Sequence, residues 1–271
     1  MLYLTNKYDA GSEQSVFSMN ILEIQKLTKH FEGVSAIEDL DLSIKTGSIK
    51  GIIGPNGSGK TTLVNLITGL LEPTSGLSLF QGRDITGLAP HLRTKLGIAR
   101  TFQIPKVLPD MTCLDNVMLG RHCRHGIDIL GTWLRLPFTN SRQELDIEHR
   151  ALSVMNEMNM SGSAKRLAGE LSWMEEQLLQ ICRAMVSEPS LLLLDEPTAG
   201  MGEAESEQVQ MAINRIAEQG VTIIIVAHDM KLIKSLAEEV TCLSFGTKIA
   251  EGECHTVLAD SKVNEVYLGS E

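Results

Sequence analysis

The chain has 271 residues, enough at the usual ~150 residues per domain for one large domain or a domain with a sizeable insertion, and enough to bury a substantial core. Its 24 Lys and Arg against 34 Asp and Glu leave a net charge of −10, which opposes a phosphate backbone and excludes a nonspecific nucleic-acid binder. The composition, 43% apolar and 21% charged, is globular, and the longest apolar runs, such as Leu191 to Leu194, fall far short of the ~20 residues needed to cross a bilayer. Five cysteines (Cys113, Cys123, Cys182, Cys242, Cys254) are odd in number, widely spaced and without a CxxC pair. They point to a reducing compartment rather than to a disulfide framework or zinc ribbon.

Residues 1–18 lack the basic start and apolar core of a signal peptide and read as a poorly ordered leader, so the fold is expected to run over 19–271. From Ile21 to Leu27 and from Leu40 to Ile44 the apolar period is two, which predicts half-buried strands. A short strand, Ile49 to Ile53, runs straight into GPNGSGKTT, and behind it Leu63, Leu66, Ile67 and Leu70 recur at helical spacing. Between about 104 and 170 the pattern turns helical and irregular, including Arg121 to Leu145, and predicts an inserted helical subdomain. Two further apolar strands, Leu191 to Leu194 and Val221 to Ala227, alternate with helical stretches, as a parallel sheet with covered faces requires. From Val240 the chain shows a hairpin signal, CLSFGTKIAEG, and then two short helical pieces. The fold class is α/β.

Gly54, Pro55, Asn56, Gly57, Ser58, Gly59, Lys60 and Thr61 fit GxxxxGK[ST] without mismatch, in the strand-to-helix context that the phosphate-binding P-loop needs. Glycines let successive N–H groups turn toward phosphate oxygens, and the helix N-terminus adds its positive end. Lys60 is expected to neutralise the β- and γ-phosphates of ATP, Thr61 to ligate Mg²⁺ and Thr62 to reach the α-phosphate. A second apolar strand ends in Asp195 and Glu196, at the carboxyl edge where parallel sheets bind ligands. Asp195 suits the Mg²⁺ and Glu196 the water that attacks the γ-phosphate. Alone, an Asp-Glu pair is more often a solvated turn; the upstream P-loop decides for the site.

With these motifs in this order the sequence resembles the ATP-binding subunits of ABC transporters from about Met19 to the C-terminus. The resemblance implies a P-loop ATPase core with a parallel sheet, an N-terminal antiparallel β subdomain and an inserted helical subdomain. It also implies that Gln103 in RTFQIP couples Mg²⁺ and water to the helical subdomain, that His228 in IIIVAHDM contacts the γ-phosphate, and that Phe31 stacks on adenine. A strand cap for the two polar residues and a core position for Phe31 are the structural alternatives. RTFQIPKVLPDMTCLDNVMLGRH, the insertion after it, DEPTAGM and the closing GTKIAEGECHTVLADSKVNEVYLG are similar to the branched-chain amino-acid and urea importer group.

Where the family has LSGGQ this chain has LSWME, Leu171 to Glu175, with Trp173 and Met174 in place of two glycines. In the family this segment presses on the nucleotide of a partner subunit, which implies nucleotide contact for Ser172. Ser172 and Glu175 also spell a capping box, so both readings start a helix here. His122, Cys123 and His125 match no usual zinc spacing. Trp133, Leu134, Leu136 and Phe138 suit either a membrane partner or packing on the helical subdomain.

The function implied is ATP hydrolysis that energises a membrane importer for branched-chain amino acids, urea or related small polar solutes. The implied partners are a second ATP-binding subunit, two membrane permease subunits and, indirectly, an extracytoplasmic solute-binding protein, with no nucleic acid. The implied place is the cytoplasmic face of the inner membrane, held peripherally. A soluble ABC ATPase of a non-transport machine, or a nucleotide-binding subunit with weak catalysis, are the rivals. Lys60→Ala should lose most ATP affinity in equilibrium titration, because a buried triphosphate is left partly uncompensated; an unchanged affinity would refute the P-loop assignment.

Overall fold

The computed structural model describes residues 20–122 and 139–268, and the statements below concern those residues. The leader, Cys123, His125 and the apolar residues Trp133 to Phe138 lie outside them. Strands β1 (Asn20–Phe31) and β2 (Val34–Lys45) pair antiparallel across a turn at Glu32 and Gly33, both at positive φ. β3 (Ile49–Ile53) leads into the P-loop and α1 (Lys60–Thr68). Gly69, at φ 77°, ends that helix in the left-handed conformation typical of a C-terminal glycine. The expected helical stripe is therefore shorter than the spacing implied: Leu63 and Ile67 are buried, whereas Leu70 lies past the helix and is 51% exposed.

β4 (Ser75–Phe80) and the two-residue β5 (Arg83–Asp84) complete a four-stranded antiparallel sheet in the order β2-β1-β4-β5. α2 (Pro90–Leu96) follows, and its buried Arg93 donates to the carbonyls of Leu66 and Ile67 at 2.6 and 2.9 Å. A cation thus meets the carboxyl end of α1, where the helix dipole is negative. β6 (Ile98–Arg100) then begins the second sheet. Next come α3 (Cys113–His122), α4 (Thr139–Glu157), two short 3₁₀ turns, and α5 (Trp173–Met185). α3, α4 and the turns form the helical stretch between β6 and α5, and they pack into the same core as α5.

β7 (Leu191–Asp195), α6 (Glu203–Glu218), β8 (Thr222–Val226), α7 (Met230–Leu236), β9 (Glu239–Ser244), β10 (Thr247–Glu253), α8 (Cys254–Ala259) and α9 (Ser261–Leu268) complete the described chain. The second sheet runs β10-β9-β3-β8-β7-β6, parallel except for the antiparallel edge strand β10. Every residue of β3, β7 and β8 is buried, as a sheet covered on both faces demands. The strand period of two divides these residues between two cores. Leu191, Leu193, Ile224 and Val226 pack with α1 and the antiparallel sheet, whereas Leu192, Leu194, Ile223 and Ile225 pack with α5, α6 and α7.

A charged network joins the two sheets. Lys50 on β3 is 2% exposed and reaches Glu239 Oε2 at 3.1 Å and Glu251 Oε1 at 2.6 Å. Lys45 of β2 holds the other oxygen of Glu239 at 2.5 Å, and Lys248 holds that of Glu251 at 2.5 Å while donating to the Asp41 carbonyl of β2. Hydrogen bonding from Lys45, against burial, keeps the Glu239 carboxyl below its ordinary range. Burial alone would raise Glu251, but bonds from Lys248 and Lys50 outweigh it and lower its pKa as well. Both folded pKa values are depressed, so this stabilisation is present above the ordinary carboxylate value of 4.5 and is lost as pH falls through the folded values. Lys50→Met should cost about 1–3 kcal/mol in urea unfolding at neutral pH, and its stability should fall less steeply below pH ~4.5 than that of the wild type. Parallel pH profiles for the two proteins would refute the linkage.

Candidate active site

Because β3, β8, β7 and β6 are neighbours and run the same way, their carboxyl ends meet at one edge. Register places Ile52 beside Val226 and Val226 beside Asp195, while Arg100 sits beside Leu193. Past these strand ends, one to three residues on, come Gly54, His228, Glu196 and Gln103. A cleft of about 400 Å³ opens there, lined by residues 56–62, Gln103, Asp195, Glu196 and His228. Gly54 and Pro55 are not among the lining residues; their carbonyls meet Lys60 Nζ instead. Nor do Phe31 and Ser172 line it. Phe31 ends β1, 41% exposed, with the Lys29 ammonium 5.0 Å from its ring centroid, and Ser172 caps α5.

The P-loop needs glycine for measurable reasons. Gly59 stands at φ 102°, and a Cβ there would meet the Ala36 carbonyl oxygen at 2.5 Å. The amides that follow, Lys60 to Thr62, open α1, whose first turn has no intrahelical acceptors for its N–H groups. Lys60 Nζ folds back onto the carbonyls of Gly54 and Pro55 at 2.6 and 2.9 Å. Burial lowers its pKa, while Glu196 and Asp195 pull the other way. The Ser58 hydroxyl, 1% exposed, has no hydrogen-bond partner among the described residues.

Across the cleft Asp195 and Glu196 are both buried. Burial raises the Asp195 carboxyl above its usual range; Arg100 and Lys60 oppose that rise, and Glu196 adds to it. The Arg100 guanidinium lies 3.5 Å from Asp195 Oδ2, bonds Asn65 Oδ1 of α1 at 2.7 Å and stacks 4.7 Å from the Phe102 ring centroid. Glu196 has φ 50°, a left-handed conformation for a residue with a Cβ, held by its N–H to the Val226 carbonyl at 2.8 Å. Such strain costs of order 1–3 kcal/mol and persists only where surrounding structure imposes it. Its Oε1 lies 2.9 Å from Nδ1 of His228, which is 67% exposed.

Gln103 is tied by its backbone to α5. Gln177 donates to the Gln103 carbonyl at 3.2 Å, and Gln180 clasps Phe102 by accepting from its N–H and donating to its carbonyl. Both glutamines are buried. At the head of α5 the capping box forms: the Ser172 hydroxyl accepts from the Glu175 N–H at 3.3 Å, and Glu175 Oε2 accepts from the Ser172 N–H at 2.8 Å. Glu175 Oε1 meets Arg166 at 2.7 Å. Burial would raise this carboxyl, yet Ser172 and Arg166 together lower it. The Trp173 indole N–H donates to the Ala199 carbonyl at 2.9 Å, in the loop after Glu196. Arg100, Arg166, Gln177 and Gln180 were not expected from sequence. For Arg100 the available signal was a basic residue ending a short apolar strand immediately before Gln103's segment.

Thr61, Gln103 and Asp195 offer a hydroxyl, an amide and a carboxylate to one cleft. That all-oxygen set suits Mg²⁺, which takes one or two carboxylates and completes its shell with water and phosphate. Residues 37–199 match the ABC transporter family profile. The chain belongs to the ABC transporter family. This ABC cassette is 32% identical over 253 residues to the high-affinity branched-chain amino acid transport ATP-binding protein BraF of Pseudomonas aeruginosa, covering 93% of this chain and 99% of that protein. It is 34% identical over 258 residues to the probable branched-chain amino acid transport ATP-binding protein LivG of Archaeoglobus fulgidus, with coverage of 93% and 97%. An ATP-binding cassette of an ABC transporter in its ADP conformation superposes with TM-score 0.82 at 32% identity, covering 93% of this chain and all of that one. A dimeric ATP-binding cassette in a post-hydrolysis state bound to ADP and Pi gives 0.72 at 25% identity, covering 86% and 98%. The ABC cassette is an ATPase that binds nucleotide. No helix among the described residues is long and apolar enough to cross a membrane.

Glu175→Gln keeps the shape of the cap and removes the charge shared with Arg166. It should cost about 1 kcal/mol of stability and leave ATP turnover at saturating ATP no higher than wild type. A faster turnover would show that the Glu175 charge reaches a bound phosphate.

Proposed function

We propose that this cassette is one half of a head-to-tail ATPase pair that drives a membrane importer of branched-chain amino acids, urea or related small polar solutes. The observation that carries the reading is the convergence of Lys60, Asp195 and the Glu196–His228 pair on one cleft, in a chain that resembles transport ATP-binding proteins along nearly its full length. The partners are a second ATP-binding subunit, the same or a related chain, and two permease subunits fed by an extracytoplasmic solute-binding protein. The cassette would sit peripherally on the cytoplasmic face of the membrane.

In this reading the P-loop from Gly54 to Thr62 cradles the triphosphate, with Lys60 moving from its own loop carbonyls to the phosphates, and Phe31 stacks on adenine. Thr61, Gln103 and Asp195 would hold Mg²⁺, whose charge offsets that of the β- and γ-phosphate oxygens. His228 occupies Oε1 of Glu196, leaving Oε2 to accept a proton from the attacking water as its oxygen bonds the γ-phosphorus and the bond to ADP breaks. Ser172, at the N-terminus of α5, would face the γ-phosphate held by the partner's P-loop. Trp173 and Met174, standing where the family has glycines, favour a second reading in which this chain binds nucleotide but hydrolyses it weakly.

Glu196→Gln retains shape and loses the charge that draws the proton. Hydrolysis should fall by about 10²–10⁴-fold while ATP still binds, and the ATP-bound dimer should persist through size-exclusion chromatography. Wild-type turnover in this variant would overturn the assignment.

A further inference from the structure

The P-loop is anchored from below by a residue that takes no part in the site described so far. Gly54, its first residue, stands at φ 149°, where a Cβ would lie 2.2 Å from the Leu243 carbonyl oxygen and 2.6 Å from Ser58 Oγ. The position is thus confined to glycine and wedged between β9 and the loop. Both of its backbone groups are engaged. The carbonyl accepts from Lys60 Nζ at 2.6 Å, and the N–H donates to the Tyr267 hydroxyl at 2.7 Å. Tyr267 lies near the end of α9, the last described helix, whose Val263 is 2% exposed, and its ring packs on the same core as that residue. Burial, with the Cys242 thiol next in weight, raises the Tyr267 hydroxyl pKa, so the group meeting the Gly54 N–H is a neutral phenol.

We propose that Tyr267 is a positioning residue for nucleotide binding, its hydroxyl holding the Gly54 amide so that the P-loop keeps its phosphate-receiving shape when Lys60 leaves the loop carbonyls. The inference rests on the reading that Lys60 engages phosphate. The lysine braces Gly54 and Pro55 from the cleft side. Drawn to a phosphate, it releases both carbonyls, and the Tyr267 bond then holds Gly54 at the point where the backbone has most freedom. A loop lacking that bond spreads over more conformations, and apparent affinity falls by the fraction that remains competent. The Tyr267 hydroxyl, remote in sequence from the P-loop, thereby sets how tightly the site takes its substrate.

The test is calorimetric titration of the full chain with MgATP and MgADP, beside ATPase kinetics and thermal unfolding, for Tyr267→Phe and Val263→Ala. Phe keeps the ring and removes the acceptor; Ala at 263 loosens α9 and keeps the hydroxyl. Tyr267→Phe should raise Kd for both nucleotides about 5–10-fold, the loss of one hydrogen bond to a part-buried amide, with KM for ATP rising in proportion and kcat within about twofold of wild type. Val263→Ala should lower the melting temperature and leave Kd unchanged. An unchanged Kd in Tyr267→Phe, or an equal rise in Val263→Ala, would overturn the proposal and make the tyrosine a packing residue. Lys60→Ala, titrated alongside, separates the two ideas: if it loses affinity while Tyr267→Phe does not, only the role of Tyr267 fails.

Discussion

A lysine, two carboxylates, a histidine and a glutamine from four separate strands reach one cleft only because those strands run in the same direction and in register. Antiparallel neighbours would send half of them to the opposite edge. The parallel arrangement in turn requires that both faces be covered, because its connections pass over the sheet. The unbroken burial of β3, β7 and β8 is therefore the condition for the site rather than a separate feature of stability. Arg93 and Arg100 serve the same end locally. One fastens the carboxyl end of α1, and the other links Asn65 in that helix to Asp195 on β7, so the P-loop helix and the acidic strand end are held as one body.

The electrostatics of the cleft follow from this crowding. Burial pushes Lys60 toward losing its charge and Asp195 toward gaining a proton, and each group counters the shift in the other. Arg100 adds a second cation beside Asp195. Opposite charges in a poorly solvated cleft attract one another more than they would in water. An anion arriving beside Lys60 and a cation arriving beside Asp195 each restore what burial removed, so ligand charge and protein charge stabilise each other. The same logic explains the strained φ of Glu196. The strand must stop at Asp195 and turn at once to aim the next carboxylate at His228, and no glycine can do that work because glycine has no carboxylate.

The parallel core and the phosphate loop were legible because both rest on local patterns: an unbroken apolar run for a doubly covered strand, and a fixed spacing of glycines before a lysine. Leu191 to Leu194 and Gly54 to Thr61 needed no partner to be read. The hairpin of β9 and β10 and the capping box at Ser172 were legible for the same reason. Arg100, Gln177 and Gln180 were not, since an arginine or glutamine acquires its role from a partner far along the chain, as Gln180 does from Phe102. Strands as short as β5 and β6 carry too few residues to show a period. The stripe through Leu70 misled because periodicity continues past the point where Gly69 ends the helix. The His122 to His125 cluster and the Trp133 to Phe138 stretch drew attention in the sequence but fall outside the described side chains.

The departure from LSGGQ looks different once α5 is seen in place. Two glycines would let a backbone approach a phosphate closely, and their loss restricts that approach. Yet Glu175, the charge that would repel a phosphate, is occupied on one oxygen by its own cap and on the other by Arg166. Trp173, the bulk that would block it, donates to Ala199 in the loop that follows Glu196. Its side chain therefore binds within its own subunit, and the Ser172 hydroxyl and the helix N-terminus remain at the surface. From there α5 runs to Gln177 and Gln180, which grip the backbone at Phe102 and Gln103. One helix thus touches both the segment after Glu196 and the segment carrying Gln103. In a head-to-tail pair that helix would present Ser172 to the opposite nucleotide. Replacing the glycines by Trp173 and Met174 exchanges a free backbone for a braced one, and in such a pair movement at one nucleotide site would have a direct mechanical route to the other.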